Sequence, residues 1–197
     1  SILVAHPSVP AKDVRELIAL AKQKPGQLNF AIGAVGSSLH MAGEAFKMQS
    51  GVDIVNIPYK GTAPAVQDLL AGQVQLMFAA VGNVKAHIQA GKLKALGVTT
   101  AQRLPAFPDV PAIAEVLPGY ESSAWFGLFG PARMAADTSR KISDAARQAL
   151  QQADMRQRLE TEGAIAVGNS PEQFSAFVQA EIVRWAKVVK FSGAKPE

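Results

Sequence analysis

The stretch Gly33-Ala-Val-Gly-Ser-Ser-Leu-His-Met-Ala-Gly-Glu-Ala-Phe46 follows a short apolar run, Leu28 to Ala31, and opens a helical pattern. A loop with two glycines, two serines and a histidine at a strand-to-helix junction is built to approach something closely. Glycine lets backbone come near a ligand, and a serine at a helix start leaves backbone N–H groups pointing outward. Helix N-termini attract anions, so this loop suits a carboxylate or a phosphate. The plain alternative is that Ser37 or Ser38 only caps its own helix, which the spacing predicts to start near Leu39.

The same rhythm extends outward from this loop. Asp53–Ile57, Gln75–Ala79 and Leu93–Thr99 are further β-prone runs, and Ser1–Pro7 opens the chain as another. Helical patterns cover Asp13–Lys24, Met41–Gln49, Ala63–Leu70 and Asn83–Gln89, with Pro25-Gly26 ending the first. Short apolar strands alternating with helices predict an α/β fold, a mostly parallel sheet flanked by helices and joined by right-handed crossovers. Ligands of such sheets bind beyond the carboxyl ends of the strands, where the opening loop lies.

A second strand-to-helix loop, I-P-Y-K-G-T-A-P-A from Ile57 to Ala65, should lie beside the first at the same edge. Tyr59 offers a hydroxyl, Gly61 a close approach and Thr62 a cap. Lys60 reads as a solvated turn residue, with attraction of an acid as the alternative. Two adjacent loops of backbone donors suggest one anion site.

Beyond Arg103 the pattern changes. Prolines at 105, 108, 111 and 118 mark an irregular connection with at most one short helix. Ala124–Pro131 is expected as a buried strand, then helices over Thr138–Gln152 and Met155–Glu162, a short strand Ala164–Val167, and a final helix. That helix is announced by the capping box Ser170-Pro-Glu-Gln173. Phe174, Phe177, Val178, Ile182, Trp185, Val188 and Val189 then trace an apolar stripe that needs a partner.

Composition narrows the function classes. With 197 residues, 48% hydrophobic and 18% charged, the chain can bury a core. It has no apolar run long enough to span a bilayer and no signal-peptide pattern, and its start without Met reads as a mature, clipped or truncated chain. Cysteine is absent, which excludes disulfides and thiolate metal sites. The net charge of +4 is dispersed rather than clustered with aromatics, so nucleic-acid binding is not expected. His6, His40 and His87 have no metal-site spacing, and neither a phosphate loop, a G-x-S-x-G elbow nor a Ser-His-Asp set occurs.

G-S-S-L-H-M-A-G-E-A-F, G-V-D-I-V-N-I-P-Y-K-G-T-A-P-A-V-Q-D-L-L-A-G-Q-V-Q-L-M-F and A-G-K-L-K-A-L-G-V-T-T together resemble the solute receptors of tripartite tricarboxylate transporters, the Bug-type periplasmic binding proteins. The resemblance continues through R-L-P-A-F-P-D-V-P, P-G-Y-E-S-S-A-W-F-G-L-F-G-P-A and A-E-I-V-R-W-A-K-V-V-K. It implies a two-lobed Venus-flytrap receptor in the periplasm, not an enzyme and without cofactor or metal. Such a receptor captures a small carboxylate and delivers it to a membrane permease. It further implies that residues 1–123 form the second lobe and that 124–197 complete a first lobe whose N-terminal part precedes Ser1. One lobe is then complete and the other partial, and a homo-oligomer through the incomplete lobe is a further expectation.

Carried onto this sequence, the ligand-binding positions are Ala34, Val35, Gly36, Ser37, Ser38, His40, Tyr59, Gly61 and Ala79. The family often has a serine in place of Ile32, a polar residue in place of Val35 and an aspartate in place of Ala79. These departures point to a ligand with fewer polar substituents than an amino or hydroxy acid. The competing readings are a non-binding remnant that self-associates and, from the exposed serines alone, a small α/β hydrolase.

Overall fold

The computed structural model describes residues 1–161 and 164–194. Contacts divide it into two units, Ser1–Ala124 with the residues from Val188 onward, and Trp125–Lys187.

The first unit is built on a sheet of five strands in the order β3-β2-β4-β1-β5. The strands are β1 (Ile2–Ala5), β2 (Asn29–Ile32), β3 (Val55–Pro58), β4 (Leu76–Ala79) and β5 (Lys94–Val98). Between them run the helices α1 (Val14–Gln23), α2 (Ser38–Ser50), α3 (Thr62–Leu70) and α4 (Val81–Gln89). The βαβ alternation is therefore present; α2, α3 and α4 start one to three residues earlier than the apolar periodicity marks them, and α1 one residue later, after its cap Asp13. The 103–119 connection carries one 3-10 turn, Ile113–Glu115.

The sheet departs from a simple parallel reading at its middle. β2 is parallel to β3 and β4, but β1 lies antiparallel between β4 and β5. Every residue of β1 is buried. A strand covered on both faces shows a continuous apolar run whichever way it points, so its direction is set by pairing and not by composition.

Both faces of the sheet are covered. On one, Ile2, Val4, Ala31, Met77 and Ala79 pack with Ala65 and Leu69 of α3 and Val84 of α4. On the other, the rings of Phe30 and Phe78 meet edge to face at 5.5 Å, and Phe46 of α2 lies 6.0 Å from Phe78. Tyr120, 1% exposed, packs its ring on Phe46 and donates its hydroxyl to the Ala42 carbonyl at 2.9 Å. α2 is consequently buried along the whole run from His40 to Phe46.

The second unit contains α5 (Ala136–Gln151), α6 (Ala153–Thr161) and most of α7 (Pro171–Ser192). The capping box at the start of α7 is formed as expected: Gln173 N donates to Ser170 Oγ at 3.2 Å and Ser170 N to Gln173 Oε1 at 2.9 Å. The expected end of the preceding helix at Glu162 lies outside the described residues. Trp125 rests edge to face on Phe174 and Phe177, and both its indole N–H and that of Trp185 donate to Glu181 Oε2.

Neither strand expected in this region forms. Residues 124–131 and 164–167 carry no ladder pairing, and Phe126 is 97% exposed and Ile165 77%. Their composition favours a strand, but a strand exists only where a partner satisfies its backbone groups, and no partner is present among the described residues. The apolar stripe of α7 is likewise open in part, with Ile182 and Val189 exposed.

One packing detail is directly testable. A Cβ on Gly43 of α2 would stand 2.0 Å from Phe30 Cε1, and Phe30 is held by Phe78 and the sheet. Gly43→Ala is expected to lower unfolding stability by about 1–3 kcal/mol through overpacking, despite alanine's better helix propensity. Urea unfolding midpoints of the two chains measure it.

Candidate functional site

β2 and β3 run parallel and side by side, so the loops that leave their carboxyl ends emerge together. Gly61 N donates to the Gly33 carbonyl at 2.9 Å and Tyr59 N to the Ile32 carbonyl at 2.8 Å. The contact favours glycine at position 33, because a Cβ there would crowd the Thr62 backbone at 3.2 Å. Gly36 and Gly61 have φ of +77° and +116°, backbone that other residues rarely adopt, and each has open space beside it.

Between these loops lies an open recess of about 1030 Å³. Its walls include Ala34, Val35 and Gly36 from the first loop and Tyr59, Lys60 and Gly61 from the second. Met41, Pro58, Val189 and Ala194 add apolar surface. Five of the nine positions expected to bind ligand, Ala34, Val35, Gly36, Tyr59 and Gly61, thus line one recess. Lys60, expected as a solvated turn residue, is the charged residue of its wall among the described residues. No group of three or more His, Asp and Glu side chains that could hold a metal occurs among the described residues.

The remaining expected positions are not among its wall residues, though Ser37 directly follows Gly36. Ser37 is the N-cap of α2, its Oγ accepting from His40 N at 3.2 Å, and Ser38 is the first, exposed residue of that helix. Ala79 is fully buried in the sheet core, opposite Ile2, so its side chain cannot face a ligand. Thr62 is not the cap of α3; that position belongs to Gly61, which brings no side-chain bond. The first N–H groups of α2 and α3 therefore lie at the two recess loops, without intrahelical acceptors.

Tyr59 also differs from its expected role. Its hydroxyl donates to Asp68 Oδ2 at 2.8 Å, so the ring, not the hydroxyl, is what the recess sees. Burial, and then the hydrogen bond to Asp68 and its charge, push the phenol up to about 12.

His40 is 4% exposed, and both ring nitrogens face protein groups. Nδ1 accepts the Gly36 N–H at 3.0 Å, while Nε2 lies 3.6 Å from Glu44 Oε1 and 3.4 Å from Asn56 Nδ2. A nitrogen that accepts an amide proton carries none, so the ring proton is assigned to Nε2. His40 is therefore a support beneath the loop rather than a group lining the recess.

Sequence reading passed over Glu44 and Asn56. Glu44 is 2% exposed, and its Oε1 takes hydrogen bonds from Lys47 Nζ at 2.8 Å and Asn56 Nδ2 at 2.7 Å. The visible signal was a carboxylate inside a helical run that is otherwise apolar or small, Met41 to Phe46. Burial pushes the Glu44 carboxyl up, but the hydrogen bonds from His40, Lys47 and Asn56 outweigh it and hold the group down at about 2, against an ordinary 4.5.

The folded form thus binds the Glu44 proton more weakly than the unfolded form. The stabilisation is complete above pH 4.5 and is lost as pH falls toward 2; the difference corresponds to about 3 kcal/mol. Glu44→Gln is expected to lose about that much stability at pH 7 and to flatten the decline between pH 4.5 and 2. Urea titrations across this range check both.

An open α/β sheet with an anion-friendly recess at its strand ends is the architecture of a small-molecule binding module. A family model described as "Tripartite tricarboxylate transporter family receptor" matches residues 1–193, and the chain belongs to that family of receptors. It is similar to Protein BugT of Bordetella pertussis (strain Tohama I), with 36% identity over 195 residues, which cover 98% of this chain and 60% of BugT. Among solved structures, R. palustris Rpa4515 with adipate matches with a TM-score of 0.85 and 36% identity over 100% of this chain and 66% of its own. The periplasmic binding protein BugD matches with a TM-score of 0.82 and 30% identity, over 100% of this chain and 67% of its own. The fold is accordingly of the periplasmic-binding-protein type. The chain spans about three fifths of the length of such curated relatives.

Proposed function

We propose that this chain is the ligand-binding part of an extracytoplasmic receptor that captures a small carboxylate and delivers it to the membrane permease of a tripartite tricarboxylate-type transporter, in the periplasm. The observation that carries the reading is the joining of two strand-end loops by the Gly61 to Gly33 hydrogen bond, which sets two helix starts and Lys60 around one recess. The backbone N–H groups of Ala34 and Val35 act as donors to the carboxylate, those of Gly36 and Gly61 being engaged by His40 Nδ1 and the Gly33 carbonyl. The Ser37 hydroxyl, whose oxygen already accepts from His40 N, adds its proton.

The wall residues suggest the kind of carboxylate. Val35, Met41, Pro58, Val189 and Ala194 offer nothing to a hydroxyl or an amine, so an unsubstituted aliphatic dicarboxylate fits better than a hydroxy acid. The adipate named with Rpa4515 belongs to that class. In this reading residues 1–123 are the receptor's second lobe and 124–197 contribute to its first. The open apolar surface of Phe126, Leu128, Phe129, Ile165 and Val167 supports the latter, since such surface is a face awaiting a cover.

Titration calorimetry against adipate and malate tests the proposal. Adipate is expected to bind more tightly than malate, and Ser37→Ala to weaken adipate binding roughly tenfold, the range of one charged hydrogen bond. Lys60→Gln should weaken it less and reduce its salt dependence. Failure of every carboxylate to bind, together with a solution mass that rises with concentration, would favour a self-associating remnant in place of a receptor.

A further inference from the structure

Four side chains that are not among the recess's wall residues form one connected set. His40, Glu44 and Lys47 lie on α2 and Asn56 on the edge strand β3. Lys47 Nζ bonds both Glu44 Oε1 and Asn56 Oδ1, at 2.8 and 3.2 Å. Asn56 Nδ2 bonds Glu44, and the Nε2 edge of His40 faces them both. The opposite edge of the same ring holds the Gly36 amide.

We propose that His40 is a positioning residue for ligand binding: with its proton on Nε2, the edge that faces Glu44 at 3.6 Å, it presents a bare Nδ1 that fixes the Gly36 amide and hence the shape of the recess loop. The proposal rests on reading the recess as the ligand site. Gly36 has no side chain to hold it and sits at φ +77°, and the bond across it, from Ser37 N to the Ala34 carbonyl, is long at 3.3 Å, so the His40 contact is the shorter hold on the loop at that point. Without the imidazole the Gly36 N–H turns freely, and the loop must be ordered again each time a ligand binds, which weakens affinity. Asn56 extends the same control to the second loop, because β3 runs directly from it into Pro58 to Gly61.

Two substitutions separate this role from mere packing. In His40→Asn the amide oxygen can occupy the place of Nδ1 and accept the Gly36 N–H; in His40→Leu the volume remains and the acceptor is gone. Hydrogen exchange of the Gly36 amide, read by NMR on ligand-free protein, and adipate titration are measured for both. Faster Gly36 exchange and roughly tenfold weaker adipate binding in His40→Leu, with both restored toward wild type in His40→Asn, is the expected result. Unchanged Gly36 exchange in a folded His40→Leu chain overturns the proposal, as does unchanged adipate affinity. Absence of any adipate or malate effect on the wild-type Gly36 and Tyr59 amides instead removes the site reading. The ligand-free exchange data still decide whether His40 holds the loop.

Discussion

The first unit depends on the insertion of β1 between β4 and β5. Its four residues are at most 1% exposed, and it pairs on both sides, so it joins β5 to the block formed by β3, β2 and β4. Remove it and β5 has no neighbour in the sheet, while Ile2 and Val4 leave the core against which α3 and α4 pack. Two ladders and two covered faces make this short segment a point where the hydrogen-bonding and hydrophobic terms reinforce each other. With the sheet held in this way, β2 and β3 remain side by side and their outgoing loops meet.

Much of this was legible in the chain itself. Runs such as Leu28 to Ala31 and Gln75 to Ala79 announce strands buried on both faces, and Ser37 and the Ser170 capping box announce helix starts, because local chemistry decides those features. The direction of β1 was not legible, since an all-apolar strand carries no polarity in its pattern. The failure of 124–131 and 164–167 to form strands has the same origin from the other side: side chains express a preference, but a ladder needs a second strand.

The site divides similarly. The two loops, their glycines and their adjacency followed from the strand-to-helix rhythm. His40 and Ala79 are buried and do not line the recess, which was not legible because position along the chain does not say which way a side chain is buried. His40 meets Asn56, sixteen residues away, only after β3 has paired with β2. Ala79, as the last strand residue before α4, lies near the correct end of the sheet but on the inward face. Glu44 shows what a single sequence hides most effectively: a charge whose partners come from three other positions, and whose burial costs little only because all of them donate to it.

The distribution of aromatic residues divides the molecule's light. Both tryptophans of the chain, Trp125 and Trp185, direct their indole N–H to the same oxygen of Glu181, so indole emission reports the surroundings of that carboxylate. Of the two tyrosines, Tyr120 is sealed beneath α2, and Tyr59 alone stands in the wall of the recess with its hydroxyl bound to a carboxylate. Indole emission and tyrosine absorbance thus report different carboxylates, the one the surroundings of Glu181 and the other, in part, the Tyr59–Asp68 hydrogen bond.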